Sequence, residues 1–374
     1  MKMILHVISC LELGGTETFI MNNYQALNRE KIQFDFLVLN EKKHPYSDQI
    51  ETLGGEIYFA IQPSAKNLIK FYKKFKSVVA NDKEYYAVHC HLNSMNAFPL
   101  LCAYVCGIRK RISHSHAVNI SPKSLLKKIL YTVRKWVIRV CGNEFLACSK
   151  IAGETLYGKH FFNLRGKIIN NGIKVENFTK RNSGNIGEIK EKFGILPEND
   201  LVLGNITRFD AIKNQKFILD VFSCILKKNA DAVLLLGGID GGSLEEIEKL
   251  IQEYGIGKNV RLIGARSDVS ECLKVLDVYL FPSLFEGLGI ALLEAQAAGC
   301  NCFASTNVPK ETDMGLGSVE YIDLDKGADF WAERIILKQA QFKPKCESEI
   351  KEGFRKKKYT VDTSITDLLE VYGE

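Results

Sequence analysis

A chain of 374 residues with 46% apolar and 25% charged side chains has ordinary globular proportions and room for two hydrophobic cores, which excludes disorder, collagen and small disulfide-rich scaffolds. Its net charge of +6 conceals a division: residues 1–170 carry +12, from 24 basic and 12 acidic side chains, while residues 171–374 carry −6, from 26 and 32. Eleven cysteines, an odd number scattered through apolar runs, read as reduced core residues, and no metal is expected at Cys102 with Cys106 or Cys300 with Cys302.

In chain order, short β-rich runs alternate with stretches of helical period. Met3 to Ser9 reads as a buried strand rather than a signal peptide, because Glu12, Gly14 and Gly15 follow it at once. A helix over Glu17 to Ala26, a strand over Phe34 to Leu39, helices over Asp48 to Leu53 and Leu68 to Val79, and strands over Ile57 to Phe59 and Ala87 to His91 continue the βα order. The longest uncharged apolar stretch, Asn96 to Ile108, is too short to span a bilayer. Ser121-Pro122 opens a helix in which Leu125, Leu126, Ile129, Leu130, Val133, Trp136, Val137 and Val140 share one face, with Lys123, Lys127, Lys128, Arg134, Lys135 and Arg139 largely elsewhere. Tyr85 to Asn143 contains no acidic residue, so an anionic partner is expected there: a nucleic acid, a membrane surface or a phosphorylated substrate.

After Asn170-Asn171-Gly172 the alternation restarts. Leu201 to Thr207, Ala232 to Leu236, Val260 to Ile263 and Val278 to Phe281 read as strands, and Asn214 to Lys228 as a helix. The predicted class is α/β, two doubly wound parallel-sheet domains facing each other across a deep cleft that holds the ligand.

Three features carry chemistry. Gly14-Gly15 lies between the first strand and a helix, where free amides stabilise an anion or a sugar oxygen, or where a plain turn is made. Arg208 ends the 201–207 strand and Lys213 precedes the next helix, two cations able to clamp a diphosphate at the carboxyl edge of a sheet. Most specific is the block from Phe281 to Gly299: a strand stopped by Pro282, a loop with Gly287 and Gly289, and an alanine-rich helix ended by Gly299. Its loop amides, from Gly287 through Leu288 and Gly289 to Ile290, form an anion seat. Glu286 stands before the loop and Glu294 inside the helix, where a carboxylate calls for donors such as vicinal ribose hydroxyls.

Taken together, Gly14-Gly15, Asn171-Gly172, Arg208 with Lys213, and the Glu-x7-Glu spacing of Glu286 and Glu294 make nearly the whole chain resemble the retaining glycosyltransferases of family 4, with the GT-B fold, and most nearly those of bacterial capsule and exopolysaccharide synthesis. The resemblance implies domains at 1–170 (acceptor side) and 171–355 (donor side), with 356–374 a helix crossing back to the first. It implies a nucleotide-diphosphate sugar as donor, UDP more than GDP, and a glycan or polyprenyl-diphosphate-linked acceptor. Arg208 and Lys213 would hold the diphosphate, Glu294 the ribose, Glu286 with the amides of Gly287 to Ile290 the sugar and distal phosphate, and Gly14, Gly15 and Asn171 would border the donor. His116 would touch the transferred sugar, with His114 as the alternative. Lys174 after Asn171-Gly172-Ile173, Cys300 after Gly299, and Pro309-Lys310-Glu311 depart from the family pattern. No cofactor and no metal clamp are expected, the cations and helix amides supplying the positive field. Lys123, Lys127, Lys128, Arg134 and Lys135 would face an anionic membrane or acceptor, which narrows the partner from nucleic acid to phosphorylated lipid and nucleotide sugar and suggests a cytoplasmic protein on the inner face of the membrane. The alternatives are a nucleotide-sugar epimerase of the same architecture and a non-catalytic partner subunit.

Overall fold

Runs such as Met3-Ile4-Leu5 and Val278-Tyr279-Leu280-Phe281 are apolar at consecutive positions, a pattern stable only in strands covered on both faces, and parallel sheets provide that cover. A computed structural model describes all residues except 13, 41–44, 65, 82, 117–123, 180–185 and 197–198. The chain divides into two units, Met1–Gly172 with Lys358–Glu374, and Ile173–Lys357.

The N-terminal unit is built on seven strands: β1 (Lys2–Ile8), β2 (Ile32–Val38), β3 (Ile57–Phe59), β4 (Tyr85–Cys90), β5 (Lys110–Ser115), β6 (Glu144–Ala147) and β7 (Gly166–Ile168). All pair in parallel, in the order β3-β2-β1-β4-β5-β6-β7. The C-terminal unit repeats the plan with β8 (Val202–Ile206), β9 (Val233–Gly237), β10 (Val260–Leu262), β11 (Val278–Phe281), β12 (Asn301–Ser305) and β13 (Val319–Ile322), ordered β10-β9-β8-β11-β12-β13. In each sheet the winding reverses beside the first strand, between β1 and β4 and between β8 and β11. In doubly wound sheets that reversal is where ligands meet the carboxyl ends of the strands.

Polar groups on the covered strands are matched locally. Asp35, fully buried in β2, accepts from Lys83 Nζ and from Tyr85 Oη at 2.8 and 2.7 Å, and its other oxygen accepts from the Glu56 amide at 2.8 Å. In the C-terminal unit, buried Trp331 packs edge-on to Phe217 and donates its indole N–H to the Asp323 carbonyl at 3.1 Å.

The last helix, Val361–Tyr372, belongs to the N-terminal unit. With the Gly15–Ala26 helix it covers one sheet face, where Ile365, Leu368, Val371 and Tyr372 join Ile4, Phe19, Phe34 and Ile112 in one core. Its carbonyl end is closed by lysines: Lys2 Nζ donates to Tyr372 O at 3.2 Å and Gly373 O at 2.6 Å, and Lys110 Nζ donates to Val371 O. Its amino end is capped by the Thr360 side chain and lies against Gly172, where an added Cβ would meet the Thr360 carbonyl carbon at 2.6 Å and Val361 Cα at 2.8 Å. Both obstacles are backbone and cannot rotate away. Gly172→Ala is therefore expected to destabilise the N-terminal unit by about 1–3 kcal/mol, the usual cost of overpacking. A melting temperature equal to wild type in differential scanning fluorimetry would contradict that docking.

Candidate active site

In the C-terminal unit the residues singled out from the sequence gather at the carboxyl ends of β8 and β11. β8 is followed by Thr207 and Arg208, and a turn brings the chain to Asn214, which takes a left-handed conformation (φ 57°) before the Gln215–Leu226 helix. That turn is pinned to the β11 side: Asn214 Nδ2 donates to the Pro282 carbonyl at 3.1 Å and the Leu284 amide donates to the Ile212 carbonyl at 2.8 Å. Beneath it, Gln215 Nε2 donates to the Arg208 carbonyl at 2.8 Å, and Asn205 Nδ2 donates to the Leu280 carbonyl at 2.8 Å. The sequence reading passed over Asn205, Asn214 and Gln215, although three amides around one strand end are themselves a signal of a braced loop.

On this frame Lys213 Nζ meets Glu286 Oε1 at 2.7 Å and lies 5.5 Å from the centre of the Phe281 ring. Cation and carboxylate are thus brought together directly, both largely out of solvent. Arg208 is exposed, its stem lying over Gly241, and its guanidinium makes no ion pair among the described residues. Gly289, at φ 96°, turns the chain into the Ile290–Ala297 helix, and a Cβ there would crowd the Phe281 ring at 3.1 Å. Glycine is required at that corner for both reasons. Gly287 and Leu288 precede it, and Gly299 (φ 77°) closes the helix as anticipated.

Glu294 stands one turn into that helix, half-buried, with no hydrogen bond or ion pair among the described residues. Burial pushes its carboxyl up to about 7. A half-buried carboxylate without a donor is a receptor for donors, and a vicinal diol supplies two.

One Asp-x-Asp sequence, Asp323-Leu324-Asp325, escaped the sequence reading. It follows β13, and Asp323 Oδ1 accepts the Asp325 amide at 3.0 Å to cap a turn. That is a structural role for a motif that elsewhere holds metal.

In the N-terminal unit Gly14 caps the Gly15–Ala26 helix, with Gly15 exposed at its first position. The seat is partly taken by the chain itself: the buried Glu17 side chain curls over Gly14, where an added Cβ would strike its carboxylate. Asn171 is buried with its Oδ1 unpartnered, and Gly172 serves the close approach of the last helix. His116 ends β5 half-buried: its Nε2 shares a hydrogen bond with His91 Nδ1 at 2.8 Å, its amide donates to Asn93 Oδ1 at 3.0 Å, and its Nδ1 is buried without a partner. His114 is fully buried beneath it, so of the two histidines His116 is the one at the rim. His6, His89 and His91 complete a cluster that the sequence reading missed. Among the described residues, the triads His6, His89, His91 and His91, His114, His116 each bring three ligand atoms within 4.8 Å. The available signal was the period-two spacing of His89 with His91 and of His114 with His116.

The basic helix runs from Leu125 to Cys141; Ser121, Pro122 and Lys123 lie outside the described residues. Its packing inverts the arrangement that would bury an apolar face. Ile138 and Cys141 face inward, while Leu125 and Trp136 are 75% and 63% exposed, with Leu126, Ile129, Val133 and Val140 beside them. Lys127 and Lys128 are exposed, but Arg134 and Lys135 are half-buried: Lys135 Nζ donates to the Thr155 carbonyl at 2.8 Å and Arg134 lies over the Phe98 ring. The outward basic set is therefore smaller than expected, because two of its members brace the helix on its own unit. Among the described residues no helix is long and apolar enough to cross a membrane.

Residues 186–314 match the family model of group 1 glycosyl transferases. Over 99% of its length the chain is 31% identical to the putative glycosyltransferase EpsF of Bacillus subtilis, covering 96% of that protein. The chain belongs to the group 1 glycosyltransferases. It is also 28% identical to the capsular polysaccharide biosynthesis glycosyltransferase CapH of Staphylococcus aureus, over 83% of each chain. With the UDP-Gal:alpha-D-GlcNAc-diphosphoundecaprenol alpha-1,3-galactosyltransferase of Escherichia coli it shares 25% identity, over 81% of this chain and 79% of that one. In fold it matches Anabaena HepE, solved in complex with UDP-glucose, with a TM-score of 0.81 at 15% identity over 99% of both chains. The two parallel α/β units are those of the GT-B glycosyltransferases.

The Glu294 carboxyl gives a test of this geometry. Its folded-state value lies above the ordinary 4.5, so the folded protein holds a proton that the unfolded chain releases; the resulting stability is present at acid pH and is lost as pH rises from about 4.5 through 7. Glu294→Gln removes that loss, so the melting-temperature difference between variant and wild type is expected to grow from pH 5 to pH 8. A difference that stays constant would contradict the unpaired, buried carboxyl.

Proposed function

We propose that this glycosyltransferase moves a sugar from a UDP donor to a polyprenyl-diphosphate-linked glycan, with retention of configuration and without a metal ion, in the assembly of a cell-surface polysaccharide; a GDP donor is the alternative. The observation that carries the donor assignment is Glu294, a half-buried carboxyl with no partner, one helix turn beyond the Lys213–Glu286 pair. In this reading the ribose hydroxyls donate to Glu294, while Arg208 and Lys213 take the diphosphate with the amides of the Gly287 to Ile290 loop. The bond that breaks joins the sugar's anomeric carbon to a phosphate oxygen, and the charge that develops is on the departing diphosphate. Two cations and a helix amino end are the preorganised field for it. Once the diphosphate draws on Lys213, Glu286 is free to accept from sugar hydroxyls. His116 meets the sugar through Nδ1, the nitrogen left without a partner, and Gly14, Gly15 and Asn171 border the donor. Retention rests on the resemblance carried by Glu286 and Glu294.

The acceptor side rests on the 125–141 helix. An apolar strip open to solvent, flanked by Lys127 and Lys128, suits the boundary of an anionic bilayer, where a lipid-linked acceptor is held. The basic surplus of residues 1–170 adds long-range attraction to that surface.

The deciding experiment incubates the protein with a panel of UDP- and GDP-sugars and a lipid-linked acceptor extract, reading products by mass. Transfer is expected only with acceptor present; conversion of the donor alone would identify an epimerase and overturn the reading. Glu294→Ala is expected to raise the donor KM roughly 10- to 100-fold, the worth of one or two hydrogen bonds to a charged group. On the membrane side, wild type is expected to sediment with phosphatidylglycerol vesicles at low salt. Leu126→Asp with Trp136→Asp should abolish this while leaving donor binding unchanged, and an unaltered vesicle affinity would rule the helix out as the anchor.

A further inference from the structure

Five imidazoles share the sheet face covered by the first and last helices of the N-terminal unit: His6 in β1, His89 in β4, His91 just after it, His114 in β5 and His116 just after that. They are joined in two chains. In one, His6 Nδ1 meets His91 Nε2 at 2.9 Å and His91 Nδ1 meets His116 Nε2 at 2.8 Å. In the other, the Tyr372 hydroxyl meets His89 Nδ1 at 2.8 Å and His89 Nε2 meets His114 Nδ1 at 3.2 Å. Both links of the first chain have ring centres 5.1 Å apart, close to the N···N distance plus two ring radii, so the facing nitrogens point along the line between the rings. Two imidazoles on one zinc ion would instead aim at a third point and stand about 3.4 Å apart, given Zn–N bonds near 2.1 Å. These contacts have the geometry of N–H···N hydrogen bonds.

Burial depresses the basicity of all five rings, that of His6 and His116 to about 3, so each is neutral and carries one N–H and one lone pair. Each link takes one proton. The first chain therefore has two arrangements only: all three rings protonated at Nδ1, or all three at Nε2. The second is ended by a phenol and likewise has two arrangements. If Tyr372 donates to His89 Nδ1, both His89 and His114 carry their proton at Nε2 and the buried His114 Nε2–H lacks an acceptor; in the reverse both carry it at Nδ1 and the phenol proton lacks one, so here too the two rings share a tautomer.

We propose that His6 and His91 are positioning residues that couple, through this concerted chain, the proton position on His116 to their own, so that His116 Nδ1 meets a sugar hydroxyl as donor or as acceptor only as all three rings share one arrangement. The inference rests on the reading that His116 touches the transferred sugar. The chain orients and does not conduct: its far end, His6 Nε2, is buried without a partner, so no proton exit runs from that end among the described residues. His6 is held in turn by aromatic rings, with Phe34 at 4.2 Å and Phe36 at 5.6 Å between ring centres, which keeps the far end of the chain from turning.

The test uses the full chain labelled with 15N-histidine, in which long-range 1H–15N correlation spectra distinguish Nδ1–H from Nε2–H. In wild type, His6, His91 and His116 are expected to share one tautomer, and His89 and His114 to share one as well. His91→Phe keeps a ring in place and breaks both links; His116 should then populate both tautomers. Its kcat for sugar transfer should fall roughly five- to tenfold, the worth of one hydrogen bond, with the donor KM unchanged. His6→Phe removes only the far link and gives the same spectral mixing should His91→Phe fail to fold, while His6→Asn, whose amide can stand in for Nδ1, is expected to restore the single tautomer. Differing tautomers in wild type, an unmoved His116 signal in both phenylalanine variants, or one equivalent of bound zinc whose removal changes the ring signals would each overturn the proposal. If His116→Gln transferred sugar at the wild-type rate while the tautomers proved linked, the sugar contact would fall and the linkage would stand.

Discussion

A parallel sheet covered on both faces leaves no water for a polar side chain placed on its strands, and most of what distinguishes this protein follows from how that constraint is met. In the N-terminal unit Asp35 meets it with a lysine, a tyrosine and a backbone amide, and five histidines meet it with one another and with Tyr372. In the C-terminal unit Asn205 and Gln215 meet it by tying the strand ends to their loops. Some are left unmet: His6 Nε2, His114 Nε2 and His116 Nδ1 have no partner, and Glu294, half-buried, has no hydrogen bond among the described residues and a pKa raised by burial. Where the fold satisfies its buried polar groups it gains a rigid frame; where it leaves one waiting, it has a place for a ligand.

The donor-side charges show the same logic in two forms. Lys213 and Glu286 neutralise each other at 2.7 Å, so neither has to be held desolvated and alone before a donor arrives. A diphosphate carries more negative charge than one carboxylate and so competes for Lys213, and what it displaces is a carboxylate already beside the loop. Arg208 lies open to solvent without an ion pair among the described residues, and in the proposed reading it takes the same anion. The pair, the free cation and the unpaired acid are three states of charge on one strand-end frame, and the proposed function assigns each to a different part of a nucleotide sugar.

How far all this is legible in the sequence depends on the separation of the residues involved. The eight strands bounded from the sequence fall within a residue or two of those expected, because consecutive apolar positions bounded by glycine, proline or asparagine define a buried strand locally, and β3 and β11 fall at the residues expected; β5, β6, β7, β12 and β13 were given no bounds. The Glu286 to Gly299 block was readable because its loop, helix and cap are contiguous. The histidine cluster was not: His6, His89 and His114 come from three strands, and only the register that sets His6 opposite His89 brings them onto one face. The 125–141 helix failed in another way. Amphipathic spacing identifies an apolar face but not the side on which it lies, and here Ile138 and Cys141 with the stems of Arg134 and Lys135 suffice to hold the helix down, leaving the broad apolar strip outside. Gly172 read as part of a ligand motif because its packing partner, Thr360, is nearly two hundred residues away.

That distant partner is also what ties the end of the chain to the chemistry of its beginning. The Val361–Tyr372 helix covers the sheet face on which the imidazoles lie, and the Tyr372 hydroxyl meets His89 Nδ1 at 2.8 Å. Residues 1–172 alone hold every histidine of the cluster but lack this cover. Without it the rings would meet water, their nitrogens would find solvent partners in place of one another, and burial would no longer keep them neutral. The glycine that admits the helix, the lysines that close its carbonyl end and the phenol at its last turn therefore act on His116 through packing, although none of them touches it. A single-domain reading of the N-terminal strands would credit β5 alone with placing that histidine, when the fold places it by means of a helix contributed from the far end of the sequence.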